Sequence, residues 1–385
     1  MAEASLPRVA IGLATLVPGR VGGSETYVRG LLSALARRPD AQRVTVLAGR
    51  AARRAVPPGL AVRPVRVSMP AAGPARAGAL AGGLVAARIL GRGVPAHDVL
   101  HVPLTVPVPR TGAPVVLTLH DVNHHDLAEL FPRGERAFRR WAYDAPARRA
   151  AVVLTPSEHT RARAVARLGL DPARVVAVHH GIDHARLHPG PEPADPTALA
   201  ALPALPGRFA LYPAILLAHK DHRTLLRALA LTTDRALALV LTGHRDEGRW
   251  AALRALATEL GVGDRVHHLG RIAEGSLAAL MRRATVLAFP SRYEGFGLPV
   301  VEAMACGLPV VAARAGAVPE VAGDAALLIE QGDDAALAAG LDRVAGSAAD
   351  RVRLREAGLR RAEPFTWEAC ADGHVAAYRA ACEHH

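Results

Sequence analysis

Residues 290–309 read Pro290-Ser-Arg-Tyr-Glu294-Gly295-Phe296-Gly297-Leu298-Pro299-Val-Val-Glu302-Ala-Met-Ala-Cys306-Gly307-Leu-Pro309. The apolar run Val286–Phe289 just before them predicts a strand. Gly295 and Gly297 then predict a loop, and Pro299 suits the first position of a helix. Glycines let backbone N–H groups approach a ligand closely, and a helix start favours anions. Glu294 falls on that loop and Glu302 on the first turn of the helix. Two carboxylates with seven residues between them thus flank one anion-binding helix start. One suits the hydroxyls of a sugar and the other those of a ribose, with phosphates between. A capped helix with a solvated acid accounts for any one of these residues. It does not account for both acids, both glycines and the proline together.

The same strand-then-helix alternation extends in both directions. Val9–Val17, Val44–Ala48, Val99–Val102, Val115–His120, Val152–Pro156 and Val175–His179 read as strands, with a helix from about Glu25 to Arg37. Residues 189–207 are rich in Pro and Ala and read as a linker. Beyond it, Phe209–Tyr212, Leu237–Thr242, Val266–Leu269, Val286–Phe289 and Pro309–Ala312 are strand candidates, and an amphipathic helix follows Pro364 from Phe365 to Ala381. Continuous apolar strands separated by helices imply parallel sheets covered on both faces, so the class is α/β. The expected domains are 1–188, a linker 189–207, and 208–364, with a C-terminal helix at 365–385.

Half of the 385 residues are hydrophobic and 21% are charged, so packed cores are affordable and general disorder is excluded. Of 47 basic residues one is lysine, Lys220, and 46 are arginine; asparagine also occurs once, at Asn123. A bias that replaces lysine by arginine wherever either serves makes Lys220 a position where arginine does not serve. Residues 1–190 carry 26 arginines against 12 acids, a net +14, while residues 191–385 are at −2. A basic half predicts an anionic partner. Its candidate surface comprises Phe131 to Trp141, with Arg133, Arg136, Arg139 and Arg140, then Arg148, Arg149, Arg161, Arg163 and Arg167. The apolar stretch 77–91, between Arg76 and Arg92, joins it. Anionic lipid is the expected partner of this surface. Nucleic acid is not, because no reader motif or stacking aromatics accompany the charge. Cys306, Cys370 and Cys382 form no disulfide framework or CxxC pattern, which favours a reducing compartment. With no basic leader and no long apolar run, the expected location is cytoplasmic, peripheral at most. The doublets His124-His125, His179-His180 and His267-His268 lack metal spacing and read as ordinary histidines. No G-x-G-x-x-G opens the first helix, and no Asp-x-Asp occurs, so no metal site is expected.

The 294–302 segment resembles the E-x7-E signature of retaining glycosyltransferases of family 4, which have the GT-B fold. Further segments resemble that family along most of the chain: Gly22-Gly23-Ser24-Glu25, Thr118-Leu-His120-Asp121, Leu154-Thr-Pro-Ser157-Glu-His-Thr160, His180-Gly181-Ile182-Asp183, His219-Lys220-Asp221-His222 and Gly316-Ala-Val-Pro319-Glu320. Among subgroups the chain is most similar to bacterial polysaccharide mannosyltransferases. The resemblance implies two facing Rossmann-like domains with a donor-binding cleft, and a C-terminal helix returning to the first domain. It implies no cofactor, with GDP-mannose favoured as co-substrate and a UDP-sugar second. It implies a metal-independent transfer of a hexosyl group to a hydroxyl of a glycan or lipid-linked acceptor. Glu302 would hold the ribose hydroxyls. Glu294 would contact the sugar, with Gly295, Phe296, Gly297 and Leu298 at the helix start. Lys220 would neutralise the diphosphate, His120 would contact the sugar near the reaction centre, and the backbone at Ile272 would meet the base. Gly22 and Gly23 would sit near the diphosphate and acceptor.

Two departures from the family stand out. The family's arginine before the lysine is absent, since the stretch reads Leu211-Tyr212-Pro213-Ala214 with no arginine until Arg223. His219 is the candidate to donate in its place. His180 stands where the family often has Asn. An epimerase or phosphorylase on the same architecture is the rival reading, and a basic nucleic-acid-binding protein a remote one.

Overall fold

The computed structural model describes residues 6–19, 22–65, 96–104 and 112–383. The apolar stretch 77–91 and Arg76 and Arg92 lie outside the described residues. The chain divides into two compact units. One comprises residues 1–181 and 365–385, the other residues 182–364.

Among the described residues, the first unit holds seven strands: β1 Val9–Leu13, β2 Val44–Ala48, β3 Ala61–Pro64, β4 Val99–Val102, β5 Val115–Thr118, β6 Val152–Thr155 and β7 Val175–Ala177. Their order is β3-β2-β1-β4-β5-β6-β7, and every neighbouring pair is parallel. The central strands are buried on both faces, as their unbroken Val/Leu/Ile runs require. On one face Ile11, Leu13 and Val46 pack with Leu31 and Leu35 of the helix Gly23–Ala36 and with Tyr378 of the C-terminal helix Trp367–Glu383. The other face is covered by Ala147, Ala164 and Leu168. The two helices on the first face touch so closely that a Cβ on Gly30 would lie 2.0 Å from Trp367 Cε2. The small residue is what permits the crossing.

The second unit holds β8 Arg208–Pro213, β9 Leu237–Thr242, β10 Val266–His268, β11 Val286–Phe289, β12 Val310–Ala313 and β13 Leu327–Ile329. These form a parallel sheet in the order β10-β9-β8-β11-β12-β13. The order reverses at β8, which lies between β9 and β11. In open α/β sheets ligands collect beyond the carboxyl ends of the strands at such a switch point. The loops after β8 and β11 carry Lys220 and Glu294.

Several expectations are corrected. The first strand stops at Leu13 rather than Val17, and the helix after it begins at Gly23. Residues 189–207 are no bare linker. They belong to the second unit and carry the helix Asp195–Ala200, fastened by a bidentate Arg282–Asp195 pair with Arg282 8% exposed. The edge strand β3 is exposed throughout and offers no continuous apolar run; the other edge, β13, is a short apolar run, Leu327-Leu328-Ile329, that is missing from the strands expected above. The Phe131–Trp141 segment forms a helix Arg133–Arg139 that continues as a π-helical turn, Arg140–Asp144, before Ala145–Arg149. Pro146 brings no N–H and its ring crowds the carbonyl four residues back, which accounts for the widening there.

Candidate active site

In the second unit the neighbouring strands β8 and β11 bring two distant loops together. The loop after β8 ends in a short turn, Ala218–Lys220, then Asp221 in the left-handed region (φ 49°). Asp221 tolerates it because its carboxylate caps the next helix, His222–Leu231, accepting from the Thr224 N–H and hydroxyl. Tyr212, at the end of β8 and fully buried, donates its hydroxyl hydrogen to the Lys220 carbonyl at 2.7 Å. Its oxygen then accepts from Ser291 Oγ, 2.7 Å away on the β11 loop. The Arg292 N–H donates to the His219 carbonyl at 2.7 Å. These bonds fix the backbone on either side of the two side chains that meet: Lys220 Nζ donates to Glu294 Oε1 at 2.6 Å, with the side chains 18% and 10% exposed.

Glu294 is held from a third strand as well. Its carbonyl accepts from the Ala317 N–H at 3.0 Å. Gly316, in the loop after β12, has φ 57°, and a Cβ there would lie 2.2 Å from the Glu294 carbonyl oxygen. Gly297, also left-handed (φ 98°), starts the helix Leu298–Ala305, whose first turn has no side-chain cap. Phe296 and Leu298 are buried there, and Gly295 lies between them and Glu294. Since the helix begins at Leu298, Glu302 falls on the second turn, one turn later than expected. Desolvation raises its carboxyl to about 7, opposed by Arg186 and reinforced by Glu274. Burial pushes Cys306, one turn on, up to about 12, so it is a packed thiol and no nucleophile. His219 and Ile272 are half-buried on the loops after β8 and β10.

Gly22, Gly23 and His120 belong to the first unit. Gly22 precedes the first helix, whose Glu25 accepts from the Gly19 N–H and from Arg29. His120 follows β5. Its Nε2 faces the Pro103 carbonyl at 2.9 Å, so that nitrogen carries the proton and Nδ1 keeps its lone pair. Burial lowers its pKa. Tyr27 packs edge-on against His120 and stacks on His180 at 4.7 Å.

Behind them runs a chain of hydrogen bonds whose direction is fixed by its end. His374 Nδ1 must donate to the Cys370 carbonyl, so its Nε2 accepts from Tyr27. Tyr27 then accepts from Thr118, Thr118 from His101 Nε2, and His101 Nδ1 from Tyr378. Burial drives His101 and His180 well below the ordinary histidine value and His374 to about 4, so all three are neutral. Sequence reasoning missed this network, along with Tyr212, Ser291 and the packing role of Gly316.

The basic segment is less open than its charge suggests. Arg139 pairs with Glu135 and Asn123, Arg148 donates to the Leu168 carbonyl, and Arg161 to those of Val175 and Pro172. Arg163 and Arg167 both engage Asp126. Trp141 is 41% exposed. Among the described residues no helix is long and apolar enough to cross a membrane.

Comparison with known proteins follows the same division. Residues 21–186 match the family model described as Glycosyltransferase Family 4, and residues 202–361 match that of Glycosyl transferases group 1. The D-inositol 3-phosphate glycosyltransferase of Mycolicibacterium gilvum is 34% identical over 40% of this chain, a match spanning about a third (35%) of that protein. The O-antigen chain mannosyltransferase B of Escherichia coli is 28% identical over 69% of this chain and 70% of its own. The crystal structure of Anabaena HepE in complex with UDP and glucose superposes with a TM-score of 0.72 at 20% identity, covering 95% of this chain and 97% of that one. Two parallel-sheet units, each matched by its own family model, and a shared fold along nearly the whole chain place the protein: it belongs to the glycosyltransferases of family 4, on the GT-B fold, and is similar to bacterial mannosyltransferases.

Proposed function

We propose that this chain transfers a hexosyl group, mannose in the first instance, from a nucleoside-diphosphate sugar to a hydroxyl of a glycan or lipid-linked acceptor, with retention and without a catalytic metal. The observation that carries the reading is the Lys220–Glu294 pair at the switch point of the second sheet, beside an uncapped helix start. A bound diphosphate competes for the Lys220 ammonium, which is a compact charge able to follow developing negative charge on the leaving group. Its departure leaves Glu294 Oε1 to accept from a sugar hydroxyl. The helix start supplies backbone N–H groups to the phosphates. Glu302 in its carboxylate form takes the ribose hydroxyls, with the Ile272 backbone toward the base. His219 donates where the family's arginine is missing. For the first unit the proposed roles are acceptor-side, with His120 presenting Nδ1 as an acceptor and Gly22 and Gly23 allowing close approach. The same unit is proposed to rest on anionic lipid. Flotation with anionic vesicles but not neutral ones supports that, and equal binding to both removes it.

A thermal-shift panel of GDP, UDP and ADP tests the donor, because a ligand bound only by the folded state raises the melting temperature by mass action. GDP giving the largest shift supports GDP-mannose, and no shift with any of the three removes the nucleotide site. NMR of the enzyme with donor alone separates transfer from epimerisation, since only the latter converts the sugar nucleotide without an acceptor.

A further inference from the structure

The residues after His120 hold a second constellation that the proposed transfer does not use. The turn Asn123–Asp126 carries His124 and His125, and the π-helical turn Arg140–Asp144 ends in Asp144. Asp144 is 1% exposed and His124 2%, while the His125 side chain keeps 15% of its surface open. His124 Nε2 lies 2.9 Å from Asp144 Oδ1, and His125 Nε2 lies 2.8 Å from Asp144 Oδ2. The three donor atoms are all within 4.8 Å of one another, and among the described residues no other trio of His, Cys, Asp or Glu side chains converges this closely.

We propose that His124, His125 and Asp144 bind a divalent transition-metal ion, with zinc as the reference ion, at a structural site in the first unit. Two imidazoles and one carboxylate are the donor set of zinc and its neighbours, and not the all-oxygen set of magnesium or calcium. Ligands around a tetrahedral zinc stand about 3.3 Å apart, given bonds of about 2.0–2.1 Å, so the trio needs only side-chain adjustment to enclose it. His125, whose side chain keeps 15% of its surface open, is the side from which a water would complete the fourth position. The carboxylate can only accept, so each Nε2 directs a proton at Asp144. Ligation takes each Nε2 lone pair, so that proton shifts to Nδ1 of a neutral ring or is released to solvent from a protonated one. The neighbourhood is already braced. Asn123 accepts from Arg139 Nη1, and Asp126 is engaged by Arg163 and Arg167 rather than competing for the histidines. The π-helical turn matters because it changes which way Asp144 is aimed; such turns recur at functional sites. A metal here ties that turn to the segment that follows His120 and Asp121.

The test uses the full chain stripped with a chelator and titrated with Co2+, whose visible bands report coordination by a protein site, and with Zn2+ in a thermal-shift assay. The expected result is one ion per chain, with bands of a four- or five-coordinate site and a raised melting temperature at equimolar Zn2+. His125→Ala should weaken binding at least tenfold, and His244→Ala, an exposed histidine on a loop of the second unit, should leave it unchanged. His125→Gln serves if the alanine variant does not fold. Wild-type protein with no bands and no shift overturns the proposal. So does binding that a folded His125 variant leaves intact, which would make the two histidines a brace for Asp144 alone.

Discussion

Lowering the pH should unfold the first unit before the second. His101, His180 and His374 are buried and neutral there, with pKa values well below 6.5 and, for His374, about 4. In the unfolded chain each recovers the ordinary value near 6.5. The sign follows: the unfolded state binds the extra protons, so stability is complete above pH 6.5 and is lost as the pH falls from there toward the folded values. Between pH 7 and 5.5 each such histidine loses on the order of 1 kcal/mol, and the three together several. His120 is lowered in the same direction and adds to the total. That is a large part of the ~5–15 kcal/mol available to a typical domain. The second unit has one strongly depressed histidine, His222, at about 3, together with the milder His268. Hydrogen exchange read by mass spectrometry at both pH values, corrected for intrinsic rates, follows the two units separately. Peptides from β1, β4 and the C-terminal helix should lose protection first. Urea unfolding of the first unit should steepen toward about 4 kcal/mol per pH unit near pH 5. A slope no larger than one histidine's worth, about 1.4, or equal loss in both units, would refute the assignment of three neutral buried imidazoles.

The remaining expectations concern the second unit and the helix crossing. Lys220→Ala should lower turnover roughly 100-fold while the protein stays folded, and wild-type turnover in a steady-state assay would remove Lys220 from the mechanism. Gly316→Ala adds a Cβ 2.2 Å from the Glu294 carbonyl oxygen at a positive φ; about 1–3 kcal/mol of destabilisation by urea titration and loss of transfer are expected together. Because Glu302 titrates at about 7 rather than near 4.5, nucleotide affinity should fall as the pH drops below about 7, by up to tenfold per unit, and Glu302→Gln should flatten that profile in calorimetry. Gly30→Ala drives a methyl into the Trp367 ring and should expose the C-terminal helix to proteolysis without altering nucleotide binding.

What the sequence showed depended on distance along the chain. The buried strands were legible because both faces of a parallel sheet are covered and their residues are uniformly apolar; β9, Leu237–Thr242, is buried at every position and was read with its observed bounds. The exposed edge β3 offered no such pattern. The 290–309 motif was legible because its loop and helix start are contiguous. The partners that make it a site are not contiguous. Lys220 and Glu294 are 74 residues apart, Tyr212 and Ser291 are 79, and Tyr27 meets His374 across 347. No local pattern encodes those contacts. The contact of the His124–His125 doublet with Asp144, 20 and 19 residues on, is likewise non-local and has no spacing signature in the sequence.

Under the proposed transfer, the pairing of Lys220 with Glu294 also bears on why a lysine stands at this position. An isolated ammonium at 18% exposure would be costly to hold in place, and an isolated carboxylate at 10% more so; paired, each satisfies the other. The Tyr212 and Ser291 hydroxyls hold the backbone, so Lys220 keeps its position if the ammonium turns from Glu294 to another anion. An arginine could not make that exchange as readily, because its planar fork commits several donors to one geometry. In a chain with a single lysine among 47 basic residues, the proposed transfer asks that lysine's charge to pivot, and the Tyr212 hydroxyl on its carbonyl, itself held by Ser291, would keep the backbone fixed while it does so.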